Sequence, residues 1–257
     1  MILKEIYAYR EMIHSLVKRD LMGRYKNSAL GFLWNFLDPL LQLLIYTAVF
    51  TIIVPMGIEN YYIHLFVALV PWVFFSSCLT GGTMVIINQQ DMVKKIYFPR
   101  EVLPISHVLS QFVNMVLSFI VVFIVLIISG HGFNIKALMW MPLIMLIELV
   151  FALGLTLIVS AVTVYIRDAQ QIVNVLVMGL MYASPIIYSI DLVPEQYYNL
   201  YMLNPMSVII VAYRDILFYK TPPRVLGVSI AFIISVICLF IGFGVFAKLK
   251  RKFVEEL

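Results

Sequence analysis

Apolar residues gather in six long stretches along this chain, at 33–54, 62–79, 105–129, 138–164, 172–190 and 225–247, and polar residues are largely confined to what joins them. Each stretch is close to the ~20 residues a helix needs to cross ~30 Å of hydrocarbon at about 1.5 Å per residue. Residues 119–128 read Phe-Ile-Val-Val-Phe-Ile-Val-Leu-Ile-Ile without alternation, so the spans are read as helices rather than barrel strands. The pattern predicts an all-α polytopic membrane protein with six transmembrane helices in a single transmembrane domain over 1–257. Its parts are a lead-in at 1–32, spans one to five within 33–190, an outer segment at 191–224, the sixth span at 225–247 and a tail at 248–257.

Residues 2–21 carry helical rather than continuous hydrophobicity. Ile2, Ile6, Tyr9, Ile13, Leu16 and Val17 share one face, opposite Lys4, Glu11, Ser15 and Lys18. The segment is read as a helix in the headgroup plane, either a simple anchor or a gate helix lining an entrance. Asp38-Pro39 is expected to break and restart the first span, Asp as a cap and Pro as first helical residue, or else to kink one long helix. The polar stretch 88–95 holds Gln89, Gln90, Asp91, Lys94 and Lys95, and is read as a short docking helix or a solvated loop. The segment 191–224 is too apolar to lie free in water. Two short amphipathic helices, 195–203 and 206–218, split by Asn204-Pro205, are expected to dip into the outer leaflet and return.

Composition agrees: 63% of residues are hydrophobic and 12% charged, against about half and a quarter in ordinary globular domains. Lipid is therefore the main solvent. Placing the N-terminus inside puts all but four of the 18 Lys and Arg residues on the cytoplasmic side; Lys136, Arg214, Lys220 and Arg224 fall outside. Positive residues stay cytoplasmic, so both termini are predicted to be inside. Topology thus accounts for the formal charge of +4, and a nucleic-acid partner is not called for. The first thirty residues are charged and lack an apolar core with a cleavage site, so insertion is expected to use the first spans.

Little here suggests catalysis. No GxxxxGK[ST] loop, HExxH pair, Cys/His cluster or GxSxG elbow occurs. Cys78 and Cys238 lie inside apolar runs and are read as packing side chains, so no metal site is expected. Glu148 sits mid-span, where a carboxylate costs ~2.5–3.5 kcal/mol. With no other ionisable group at that depth, a structural hydrogen bond is favoured over a proton relay. Arg167 and Asp168 are read as an interfacial ion pair worth at most ~1 kcal/mol. Asp191 and Glu195 are read as a loop cap and solvated charges rather than as a glycosyl-transfer pair. No internal repeat is seen, and six helices make a small conduit, so a symmetric dimer is expected.

The stretch Arg19-Asp20…Arg24-Tyr25-Lys26-Asn27-Ser28-Ala29-Leu30-Gly31-Phe32-Leu33-Trp34…Pro39 resembles the entry to the first span in membrane subunits of bacterial ABC exporters for lipid-linked polysaccharides, the O-antigen, capsule and wall-teichoic-acid type. Pro71-Trp72-Val-Phe-Phe75, Arg167-Asp168, Ser184-Pro185-Ile186-Ile187-Tyr188 and Leu203-Asn204-Pro205-Met206 extend the resemblance in order over almost the whole chain. It implies a homodimeric permease in the inner or plasma membrane, paired with two copies of a separate ATPase that binds ATP and Mg. The permease itself is then no enzyme and holds no cofactor. The resemblance also implies that the N-terminal helix, with Arg19 and Arg24, and residues 89–95 meet the ATPase. Arg167, Asp168, Asn204 and Pro205 become gate or interface candidates.

Aromatic side chains in such exporters line the channel, and an aromatic face with a polar handle suits a sugar's C–H face and hydroxyl edge. The candidates are Phe36, Tyr46 and Phe50 in the first span, Phe66, Trp72, Phe74 and Phe75 in the second, and Tyr182 and Tyr188 in the fifth. Belt anchoring at the membrane interfaces competes with this reading, least so for the deep pair Tyr46 and Phe50. The expected function is export of an undecaprenyl-linked polymer across the bacterial inner or plasma membrane. A drug or small-lipid exporter permease is the alternative, followed by a proton-coupled carrier using Glu148 or a membrane glycosyltransferase.

Overall fold

The computed structural model describes residues 2–23, 33–53 and 57–257. Arg24, with the rest of residues 24–32 that carry much of the family resemblance, lies outside the described residues, as does the turn at 54–56. Every regular element among the described residues is helical. In chain order these are α1 (Ile2–Ala8), α2 (Arg10–Gly23), α3 (Trp34–Ala48, continued by a π turn at Val49–Ile53), α4 (Tyr61–Met84), α5 (Gln90–Lys95) and α6 (Val102–Ile128). They continue with α7 (Ile135–Leu138), α8 (Met141–Tyr165), α9 (Ala169–Tyr182), α10 (Glu195–Leu203), α11 (Pro205–Leu217), α12 (Val225–Leu249) and α13 (Phe253–Glu256). Five stretches are long and apolar enough to cross a membrane: Phe36–Ile53, Tyr61–Met84, Val102–Ile128, Ile135–Tyr165 and Val225–Glu256.

Helix α4 is apolar on all sides, the mark of a helix with no solvent face. It is accordingly the central stave, packed by α3, α6, α8, α9 and α11, with Leu65, Val67 and Ala68 fully buried. The tightest pairing joins α8 and α12. A Cβ added at Gly154 would lie 2.7 Å from the Cys238 carbonyl carbon, and one at Gly242 would strike the Gly154 backbone. Small residues let two backbones touch, and in lipid such close packing is a main source of helix association.

Helices α2 and α13 lie at one end of the bundle, here the near end. Leu16 of α2, Ile86, Val93 of α5, Phe98, Val102, Phe246 and Phe253 form one buried apolar cluster there. Two expectations change at this end. The N-terminal helix is split at Tyr9 and runs on to Gly23. Its apolar residues Tyr9, Met12, Ile13 and Leu16 face protein, packing on that cluster. At the opposite, far end, the turn after α6 needs left-handed backbone at Gly130 and Gly132 (φ +68° and +67°), which glycine adopts at no steric cost. His131 and Asn134 then tie this turn to the Phe218 and Lys220 carbonyls beyond α11.

The Asp38-Pro39 restart does not occur: α3 begins at Trp34 and runs through Pro39. The fifth apolar stretch also departs from a full span. Helix α9 has 14 residues, about 21 Å at ~1.5 Å per residue, and the backbone from 183 to 189 is irregular. Pro185 lacks the N–H that a continuing helix needs. Helix and loop together still run from one end of the bundle to the other. Helices α10 and α11 meet at 101°, so the outer segment is a sharply bent pair divided at Asn204, where the sequence places it.

Candidate functional site

The far end is organised around one cation. Arg214, 3% exposed on the largely apolar α11, donates to four backbone carbonyls. Its Nε reaches His64 O at 3.2 Å, and its Nη atoms reach Pro185, Ile186 and Tyr188, the last at 3.0 Å. Tyr61 Oη donates to the remaining carbonyl, Ile187 O, at 2.7 Å. Every carbonyl from Pro185 to Tyr188 is thus held by a side chain. Buried irregular backbone must find partners, and a guanidinium, with five donors in a fixed fork, supplies three of them here and reaches His64 O of α4 as well. None of the ion pairs among the described residues includes Arg214. It is a clasp for carbonyls rather than half of a salt bridge.

A second layer covers this clasp. Tyr188 Oη donates to Tyr182 O at 2.7 Å and lies 2.8 Å from Tyr201 Oη. Asn204 uses both ends of its amide: Oδ1 accepts from Met206 N as the N-cap of α11, and Nδ2 donates to Ser184 Oγ, each at 3.0 Å. Pro205 takes the first helical position, where its missing N–H costs nothing. Asn204 and Pro205 therefore set the bend and tie it to the loop after α9. Arg167 and Asp168 do something else. They lie exposed in the turn between α8 and α9, at the near end, and the expected ion pair between them does not form, because each side chain stays in water.

Inside the bundle, Glu148 Oε2 accepts from Tyr213 Oη of α11 at 2.9 Å, and Glu148 is fully buried. Its other oxygen has no partner. A polar cavity of about 200 Å³ between α3, α4 and α6 is walled by Asp38, Gln42, Ser77, Gln111, Asn114 and Ser118 among others. Gln111 Nε2 and Asn114 Oδ1 are buried there without partners.

The aromatic candidates divide. Phe66, Trp72, Phe74 and Phe75 of α4 are at most 4% exposed, and their rings meet neighbours within the same chain. Phe75 stacks on Phe151 at 5.5 Å, Phe74 meets Phe112 edge-on at 5.9 Å, and Trp72 leans on Phe75 at 5.7 Å. Phe36, Tyr46 and Phe50 on α3 are half-buried, as is Tyr188, whereas Tyr182 is 63% exposed.

At the near end, α5 has Asp91 in its first turn and Lys94 and Lys95 in its last, the order that suits a helix dipole. Lys95 pairs with Asp91 at 3.4 Å, and Arg19 of α2 donates to Gln89 at 3.3 Å, so two of the coupling candidates touch. Gln90, Lys94 and Lys95 are exposed. Sequence reasoning missed their neighbours Ile96 and Tyr97, which are 58% and 96% exposed. The available signal was an aliphatic–aromatic pair in a polar loop. It also missed Arg214, although an arginine within an apolar amphipathic stretch is a recognisable signal.

The family model for ABC-2 type transporters matches residues 11–218. The chain belongs to the membrane subunits of ABC-2 type transporters. Among its curated relatives, it is 33% identical to the O-antigen export system permease protein RfbA of Myxococcus xanthus, over all of this chain and 99% of that one. It is 30% identical to the RfbA permease of Klebsiella pneumoniae over 96% of this chain and 95% of the other. It is 22% identical to the polysialic acid transport protein KpsM of Escherichia coli over 91% and 92%. The match covers α2 to α11, and therefore both the exposed residues around α5 and the Arg214 clasp. The resemblance read from the sequence and the family match agree. As an ABC-2 permease the chain is a multi-pass membrane protein.

Proposed function

We propose that this chain is the permease half of an ATP-driven exporter that moves an undecaprenyl-linked polysaccharide outward across the bacterial inner or plasma membrane. The observation that carries this reading is the end-to-end similarity to O-antigen export permeases in a chain without a phosphate-binding loop. The motor is then a separate ATPase, with ATP and Mg bound there and two copies serving a homodimer of this permease. The near end is cytoplasmic, following the excess of Lys and Arg at that end. Its docking surface is α5 with Lys94, Lys95, Ile96 and Tyr97, backed by Arg19 on α2. The bent α10–α11 pair is re-entrant and closes the outer exit.

Translocation needs the loop at 185–188 to yield when the partner drives the spans. In this reading the glycan passes between two protomers along α3 and α9, whose aromatics reach the surface at Phe36, Tyr46, Phe50 and Tyr182. Phe66, Trp72, Phe74 and Phe75 then serve as scaffold. Lipid-linked substrate enters from the inner leaflet, where the cavity between α3, α4 and α6 offers unpartnered amides to sugar hydroxyls.

Deleting the gene and staining for surface polymer tests the proposal. The expected result is cell-surface loss with lipid-linked polymer retained inside, restored by the wild-type chain only when its ATPase is present. Undiminished surface polymer in the deletion strain would overturn it. Glu148→Gln is expected to export normally, because an amide oxygen still accepts from Tyr213. Abolished export in that variant, together with gradient-driven flux in ATPase-free liposomes, would favour a proton-coupled carrier instead.

A further inference from the structure

A second, larger cavity lies at the far end, outside the Arg214 clasp. Its volume is about 530 Å³, and it opens between α10, α11 and the start of α12, with the start of α4 behind it. This falls in the ~300–1,000 Å³ range of small-molecule sites. The polar wall includes His64, Asp191, Asn199, Asp215 and Arg224. Val211 on α11 and Val228 on α12 add apolar lining between these polar groups.

We propose that this cavity is a docking site for one or two neutral sugar units of the polymer as it emerges. The inference rests on the export reading above and adds a place where the glycan pauses.

Three observations support a sugar over other ligands. First, the charges balance: Asp191 and Asp215 are set against Arg214 and Arg224 in the same wall. Arg214 is already spent on four carbonyls, and Arg224 donates to Tyr198 Oη at 3.2 Å. An anion meets the two carboxylates and a cation meets the two guanidinium groups, whereas a hydroxyl-rich neutral molecule meets neither penalty. Second, His64 is fully buried on the cavity wall, and both its ring nitrogens lack partners. Such orphaned groups in a native structure call for an explanation. A neutral imidazole offers one donor and one acceptor, the complement of a hydroxyl, which is also both. Third, Tyr198 and Tyr219 also line the cavity, adding aromatic faces with polar handles beside carboxylates that accept from hydroxyls. A lining in which apolar and polar side chains interleave meets both the C–H faces and the hydroxyl edges of a pyranose.

The test uses the full permease–ATPase complex in nanodiscs. The probe is the mixture of di- to tetrasaccharides released by mild acid from the strain's own surface polymer, followed by saturation-transfer NMR. Binding is expected in the wild type, weakened at least fivefold by Val211→Phe, which fills the cavity, and by Asn199→Ala, which removes an exposed amide. Thermal unfolding of both variants should match the wild type, so that lost binding is not lost fold. Equal oligosaccharide binding by wild type and both variants would overturn the proposal. So would displacement of the signal by inorganic phosphate or glycerol 3-phosphate, which would mark the cavity as a lipid-headgroup site. Surface polymer in the same deletion strain is scored alongside. If export depends on the chain but the oligosaccharide does not bind, only the docking site fails. If export does not depend on the chain, the export reading fails.

Discussion

The two ends of this bundle differ in what they leave exposed. At the far end, Arg214 is 3% exposed and its donors are taken up by buried carbonyls, with Tyr61 completing the set. At the near end, Asp91 and Lys95 meet in water, while Ile96 and Tyr97 stand out unburied. The irregular backbone at the far end is held by side chains of the same chain. The near end holds the part-buried Glu101–Lys250 ion pair beside Phe246 and Phe253, yet leaves the surface of α5 and the two residues after it exposed. The proposed docking of a separate motor at the near end uses this asymmetry.

Arg214→Met should test the contrast most severely. It strands several buried carbonyls at once, each costing ~1–3 kcal/mol, so a loss of more than about 3 kcal/mol is expected. Thermal unfolding of the purified complex and surface polymer should both collapse, and Arg214→Lys should restore only part, since an ammonium lacks the planar fork. The reverse pattern is expected at the near end. Tyr97→Ala combined with Lys94→Glu should lower transport-coupled ATPase activity by about tenfold and weaken capture of the ATPase, at the scale of an interface hot spot. Unfolding of the isolated permease should be unchanged. If that double variant unfolds early, the near-end surface is part of the fold rather than a docking face.

Smaller effects sharpen the comparison. Tyr61→Phe removes one donor from the clasp and should cost ~1–2 kcal/mol, with export reduced but present. Arg167→Ala, in a near-end turn where neither Arg167 nor Asp168 finds a partner, should change stability by less than ~0.5 kcal/mol and leave surface polymer at wild-type levels. A large export defect in Arg167→Ala with unchanged stability would assign that turn to the partner interface.

Much of this fold was legible because lipid enforces a simple code. Long apolar runs become helices, so the limits of α3, α4, α6, α8 and α12 follow the hydrophobic stretches closely. Asn204-Pro205 announced the bend because cap chemistry is local. What the pattern hid was long-range. Hydropathy treats α9 and the loop after it as one span, since Ile186 and Ile187 are as apolar as any helix. Arg214, 28 residues beyond Ile186, and Tyr61 hold that backbone outside the helix. The aromatics of α4 likewise looked like channel wall, because sequence shows which residues are aromatic and not which helix stands in the middle. The Tyr213–Glu148 bond was foreshadowed more clearly: a lone carboxylate among apolar residues had to find a donor.

The meeting of Gly154 and Gly242 has a mechanical consequence. With no side chain between the two backbones, α8 and α12 interlock and have no play to slide past one another. They form a fixed keel. If the proposed motor drives this permease, the swing that admits cargo falls to α3 and α9, which are more loosely seated, while the glycine seam stays shut.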